Sequence, residues 1–248
     1  VELPTGAAFV AAGERENEWT QLIQNDIGRT FTFFDRQKQQ SLQRVLNAYA
    51  VMNMEVGYCQ GMNMIGGLLL LLSDSEEECF GVLSCLMDRI GLADFYRDGF
   101  PLLREYLSAC DEIMADLAPE LLEHFRAEGV ELNMYLQQWF LTLFIDCLPL
   151  ELVLCIWDAI ICDGLPMALQ VAVTILTSLR EPLSKMRFQE IATSFKTMRR
   201  HADKKGEWKV FEAGHLLVRA AADVQVPQRI SDTHAQTPQA REGGARTA

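Results

Sequence analysis

No stretch of this chain stays apolar long enough to cross a bilayer. The longest such run, Met64 to Leu72, is interrupted by Gly66 and Gly67 and falls far short of the roughly 20 residues that a spanning helix needs. Positive charge is also scarce. The 22 Lys and Arg are outnumbered by 34 Asp and Glu, giving a net charge of -12, and no long basic tract overrides a field that repels DNA and RNA phosphates. Nucleic acid is therefore excluded as a partner. Paired cysteines are missing: the seven (Cys59, Cys79, Cys85, Cys110, Cys147, Cys155 and Cys162) are odd in number and form no Cys-x-x-Cys, which argues against a zinc site or a disulfide framework. They read as reduced core thiols of a cytosolic protein. After Val1-Glu2-Leu3-Pro4 there is no basic region followed by an apolar core, so no secretory leader is expected. The missing initiator Met suits a piece of a longer protein whose targeting information lies elsewhere. Strand signals are absent too, with no convincing alternation and no Asn-Gly hairpin.

What remains is helical. The 248 residues are 49% hydrophobic and 23% charged, the balance of an ordinary globular protein, and the length suits one large domain plus tails. Between Asp35 and Asn53 the apolar residues Leu42, Val45, Leu46, Tyr49 and Ala50 line one face of an amphipathic helix. The same spacing recurs from Leu103 to Leu117 between Pro101 and Pro119, from Leu136 through Trp139, Phe140, Leu143 and Cys147 to Pro149, and from Val153 to Ile160 ahead of Gly164. Further helices are expected from Pro166 to Arg180, stopped by Pro182, then around Ile191 to Met198 and Val210 to Ala222. The fold class is all-α, an irregular array of many short helices around one core. Residues 1–225 form the domain. From 226 to 248 the composition turns to Pro, Gln, Ser, Thr, Arg and Gly, too few apolar groups to offset chain entropy, and a flexible tail is expected.

Two segments carry polar groups of unusual type beside apolar packing: Ile23-Gln24-Asn25-Asp26-Ile27-Gly28-Arg29-Thr30 and Gly57-Tyr58-Cys59-Gln60-Gly61-Met62-Asn63. Asp26 and Arg29 are three apart, so on a helical turn the carboxylate can hold the guanidinium. Gln60 lies near two glycines that permit tight backbone geometry and could present its amide to a partner. On spacing alone, the plainer readings are favoured for both segments: a surface ion pair worth about 0.2–0.5 kcal/mol, and a glutamine that caps a helix or satisfies a buried backbone group.

The two segments match Ile-x-x-Asp-x-x-Arg and Tyr-x-Gln, in that order, and so resemble the paired signatures of the TBC domain of Rab GTPase-activating proteins. Downstream, Gln138-Trp139-Phe140 and Ile156-Trp157-Asp158 with Gly164 resemble further landmarks of that family, which extends the likeness from about Trp19 to about Arg200. The resemblance implies a protein that does no chemistry by itself but completes the active site of a GTP-bound Rab. Arg29 corresponds to an arginine finger that neutralises charge building on the transferring phosphoryl oxygens, a contribution worth roughly 10³–10⁵ in rate in GTPase systems. Gln60 corresponds to a glutamine finger that positions the attacking water. Asp26, Tyr58, Thr30, Gly61 and Asn63 are implied as supporting residues, with Asp26 steadying the arginine and Tyr58 shaping the glutamine loop. The resemblance implies no cofactor and no metal of the chain's own, since GTP and Mg²⁺ belong to the partner. It also implies a cytoplasmic protein with recruitment to endomembranes through its partners and a role in vesicle traffic. The chain departs from the family at one point: a proline commonly follows the Arg-Thr pair, whereas here Arg29-Thr30 leads into Phe31-Thr32-Phe33. The alternative is a catalytically silent helical scaffold that binds a Rab without stimulating it.

Three other patterns carry weaker signals. Glu212 and His215 have the Glu-x-x-His spacing of helical di-metal sites, but no second copy exists and a solvated helix face is the better reading. The acidic run from Asp74 to Glu78 suits a solvated loop or a helix start. Lys196, Arg199, Arg200, Lys204 and Lys205 form a basic stretch that suits a solvated helix end over a lipid contact.

Overall fold

The computed structural model describes residues 6–202 and 211–235, which hold α-helices, one short 3-10 helix and no strand. They fall into two compact units, the first ending at Pro101 and the second beginning at Leu102.

The first unit contains α1 (Ala7–Glu14), α2 (Thr20–Ile27), α3 (Arg36–Met52), α4 (Met62–Leu72), α5 (Glu76–Asp88) and the 3-10 helix Leu92–Phe95. Helix α3 is its hub and packs against α1, α2, α4 and α5. Its limits follow from local chemistry. Asp35 caps the start by accepting a hydrogen bond from the Lys38 amide at 2.8 Å, and Asn53 closes the end, as the apolar spacing predicts. The buried Asn47 on α3 ties both neighbours: its Nδ2 donates to the Gly13 carbonyl at the end of α1 (3.2 Å), and its Oδ1 accepts from the Thr20 hydroxyl at the start of α2 (3.3 Å).

Helix α4 is buried from Met62 to Leu70, so its uniformly apolar run is that of an interior helix. The acidic run expected as a loop or helix start is the first turn of α5. Ser75 accepts from the Glu78 amide at 3.1 Å, and Glu76, Glu77 and Glu78 occupy the end where the helix dipole favours negative charge. Arg44 on α3 grips Glu76 on α5 through two bonds of 2.8 and 2.5 Å. The guanidinium holds the Glu76 carboxyl below its ordinary value.

The second unit runs through α6 (Pro101–Leu117), α7 (Pro119–Glu128), α8 (Asn133–Leu141), α9 (Leu150–Asp163), α10 (Pro166–Ser178), α11 (Arg180–Leu183), α12 (Phe188–Lys196), α13 (Met198–Ala202), α14 (Gly214–Ala222) and α15 (Gln228–Ala235). Helices α9, α10 and α14 pack mutually. Helix α9 ends at Gly164, where φ is 92°, as expected.

Three expectations change. The helix expected to continue from Leu136 to Pro149 stops at Leu141, because Leu143 and Phe144 turn to φ 42° and 67°. Tertiary contacts hold that unusual backbone: the Phe144 ring lies 6.1 Å from Trp139, and the Leu143 carbonyl accepts from the Trp157 indole at 3.1 Å. Pro182 does not simply stop a helix but lies inside the one-turn α11. The segment expected as a tail from 226 is helical between Gln228 and Ala235, with Ile230 buried and the helix packed on α10. Residues 236–248 lie outside the described residues.

Tyr49, Tyr58, Tyr96 and Tyr106 are all buried, and burial is the first cause pushing each phenol above its ordinary value. A raised native value means that the stabilisation is complete below the unfolded phenol's titration near pH 10 and is lost as the pH climbs beyond it. Burial also pushes the Cys79, Cys110 and Cys147 thiols above their ordinary values, so the urea midpoint is expected to begin falling above about pH 8.5, where unfolded thiols titrate, and to fall steeply above about pH 10. A midpoint that stays flat through that range would contradict the buried, protonated phenols.

Candidate functional site

Arg29 follows α2 in a tight turn, its amide donating to the Asp26 carbonyl at 3.1 Å. The Asp26 side chain is 2% exposed and that of Arg29 57%. A carboxylate so deeply buried must be paired, and both oxygens are used. Oδ1 accepts from Arg29 Nε at 3.0 Å and from Nη2 at 2.6 Å, while Oδ2 accepts from the Tyr58 hydroxyl at 2.7 Å. A guanidinium carries five N–H donors. With one at Nε and one at Nη2 engaged, both donors of Nη1 and the second of Nη2 remain on the exposed side of the pair.

Tyr58 belongs to the loop between α3 and α4. That loop is shaped by two glycines in left-handed backbone, Gly57 at φ 59° and Gly61 at φ 112°. Gly57 is also pressed by the Trp19 indole, which would lie 2.2 Å from any Cβ at that position. Between the two glycines Gln60 is exposed. Among the described residues its side-chain amide makes no hydrogen bond. Cys59 beside it is half-buried, and burial pushes its thiol above the ordinary value. The protonated sulfur lies 3.6 Å from the Gln60 carbonyl and can donate to it.

A second chain of bonds joins the same two segments. The Thr30 hydroxyl donates to the Asp26 carbonyl at 2.9 Å and accepts from Asn63 Nδ2 at 2.9 Å; Asn63 Oδ1 accepts from the Gly61 amide at 3.0 Å. Asp26, Thr30 and Asn63 are among the few buried polar side chains of the described residues. One route thus runs from Arg29 through Asp26 to Tyr58, and the other from Asp26 through Thr30 and Asn63 to Gly61. The two routes bracket Gln60 along the sequence. Every residue implied as supporting lies in this network, and all of it falls within the first unit.

Phe31, Phe33 and Phe34 belong to neither sequence motif. Their ring centroids lie 5.2–5.5 Å apart, directly after Thr30. Three aromatics in four residues beside a candidate motif were a visible signal. Of the basic stretch, Arg199 is spent on the Leu148 and Ile145 carbonyls, whereas Lys204 and Lys205 lie outside the described residues. Glu212 and His215 are both exposed, in keeping with a solvated face.

Residues 10–184 match the family model of the Rab-GTPase-TBC domain. The chain is 37% identical over 169 residues to GTPase-activating protein GYP5 of Saccharomyces cerevisiae, a match covering 68% of this chain and 19% of that protein. It is 35% identical over 176 residues to human growth hormone-regulated TBC protein 1, covering 68% of this chain and 52% of the relative. The chain thus spans about a fifth to about half the length of these two relatives. The crystal structure of the Chlamydomonas flagellar RabGAP TBC domain superposes with a TM-score of 0.71 at 28% identity, covering 87% of this chain and 70% of that one. The Ypt/Rab-GAP domain of Gyp1p has the same fold, with a TM-score of 0.69 at 19% identity over 87% of this chain and 76% of that one. By its sequence, its helical architecture and its relatives, this chain belongs to the Rab-GTPase-TBC domain family.

Proposed function

We propose that this chain is a GTPase-activating module that binds a GTP-loaded Rab-type small GTPase and completes its active site with Arg29 and Gln60. The observation that carries the reading is the hydrogen-bonded network in which an exposed guanidinium is tied through a buried carboxylate to the loop holding an exposed, unpaired amide. GTP and Mg²⁺ belong to the partner, and the chain contributes no cofactor of its own.

Arg29 supplies fixed positive charge to the non-bridging phosphoryl oxygens. Its planar fork donates from one edge to Asp26 while the remaining N–H groups point away from that bond. The side chain therefore needs little reorganisation when the partner arrives, which is the condition for preorganised electrostatic stabilisation. Gln60 accepts a hydrogen bond from the attacking water through its amide oxygen and holds that water in line with the phosphorus. Asp26 and Tyr58 position the arginine, and Thr30 and Asn63 set the Gln60 loop at a constant distance from it.

The first test is hydrolysis of bound GTP across a panel of GTP-loaded Rabs with purified variants. Arg29→Ala is expected to cut the stimulated rate by roughly 10³-fold or more; because it also strips the buried Asp26 carboxylate of its cation and lowers the urea midpoint, the rate is measured on protein whose helical content is verified by circular dichroism. Arg29→Lys is expected to stay defective, because it keeps the charge but not the fork. Gln60→Ala is expected to remove most of the stimulation. Full stimulation by well-folded Arg29→Ala and Gln60→Ala proteins would sink the finger mechanism and leave the binding scaffold.

Tyr58→Phe removes one hydroxyl and leaves Asp26 Oδ2 without its donor. The expected cost is about 1–3 kcal/mol of stability, together with a lower stimulated rate at saturating activator. A variant with both the urea midpoint and the saturated rate unchanged would show that the Tyr58 bond positions nothing.

A further inference from the structure

The departure from the family pattern after Thr30 has a definite form in three dimensions. The Phe34 amide donates to the Phe31 carbonyl at 2.9 Å, closing a reverse turn with Thr32 and Phe33 at its corners. Phe34 is buried, and Phe31 packs so tightly on α4 that a Cβ at Gly67 would lie 2.8 Å from its Cε2. These two rings form an anchored platform. Phe33 leans on both, with centroids at 5.4 and 5.5 Å, yet it remains 68% exposed. Directly after the turn, Asp35 caps α3, so the backbone on either side of Phe33 is fixed. The side chain is a large apolar group held in one place and spending little of its surface on the core.

We infer that Phe33 is a partner-recognition residue, inserting into an apolar recess that adjoins the nucleotide site of the GTPase served by Arg29. This rests on the activator reading above. Phe33 is four positions after Arg29, so their Cα atoms are at most about 14 Å apart. An ordinary protein interface covers about 800 Å² on each side, equivalent to a disc of about 16 Å radius. Phe33 therefore lies within the reach of an ordinary interface centred on Arg29. An aromatic side chain has few rotatable bonds, and the two supporting rings restrict these further, so docking it costs little entropy while it buries a large area. Aromatic anchors with these properties are enriched among the residues that dominate binding. The recess it requires is lined by aliphatic or aromatic side chains. A GTPase with a charged group at that point is discriminated against, because the group is left desolvated and unpaired. Phe33 thus acts on partner choice and affinity, not on the chemical step.

The test measures single-turnover GTP hydrolysis on each Rab that the wild-type chain stimulates, as a function of activator concentration. Phe33→Ala is expected to raise the half-saturating concentration about tenfold while the plateau rate stays at the wild-type level. Phe33→Leu, which keeps apolar bulk, is expected to recover most of the difference. Arg29→Ala is expected to show the opposite split, with a lost plateau. If Phe33→Ala has the wild-type half-saturation, or lowers the plateau alone, the recognition role is refuted while the activator reading stands. If the wild-type chain stimulates no Rab of the panel, the activator reading fails and the Phe33 contact fails with it.

Discussion

A single buried carboxylate organises the first unit's exposed chemistry. Asp26 is almost fully removed from water, and an ionised group in that position is tolerated only when both oxygens are engaged in good geometry. Its partners lie at very different sequence distances: Arg29 three residues later, and Tyr58 in a loop 32 residues later. The need to satisfy one charge therefore joins the end of α2 to the segment before α4. If the carboxylate were exposed, water would serve it equally well, and only the route through Thr30 and Asn63 would be left to tie the arginine's segment to the glutamine loop.

The same economy governs the groups left over. The network uses the buried edge of the Arg29 guanidinium and leaves its outer donors unengaged, and it braces the residues on either side of Gln60 without touching the Gln60 amide. Rigidity is thus supplied by atoms that have no part in the proposed chemistry, while the atoms that do are held ready at the surface. Such a division is what a preorganised site needs, since it avoids reorganisation at the moment of reaction. The Phe31-Thr32-Phe33-Phe34 turn repeats the pattern in apolar form, with two anchored rings presenting a third.

How much of this could be read from the residues depended on the range of the interaction. The limits of α3 were legible because a capping Asp35 and a regular apolar stripe are local signals. The Asp26–Arg29 pair was legible for the same reason, as a spacing of three on a helical turn. Helix α4 gave no period to read, being apolar on all sides, so it showed only as a greasy run. The end of α8 was overrun because Leu143 and Cys147 continue the helical spacing; only the packing of Phe144 on Trp139 reveals the turn. Within the candidate site, the family likeness singled out the residues, but spacing alone could not reveal the Tyr58–Asp26 and Asn63–Thr30 bonds. Those span 32 and 33 residues and exist only once the helices have packed.

The route through Thr30 and Asn63 has a direction. The Gly61 amide can only donate, so Asn63 must turn its oxygen toward Gly61 and its nitrogen toward Thr30. The Thr30 hydroxyl, having accepted there, must send its single proton to the Asp26 carbonyl. Every bond in the chain is thus oriented by one backbone N–H beside Gln60, and the array behaves as a one-way polar wire with no alternative proton arrangement. An aspartate at position 63, though of the same shape, would face Thr30 with an acceptor, draw the hydroxyl proton to itself and strip the bond from Asp26. Shape alone is therefore insufficient at that position, where the count of protons decides which side chain is admitted.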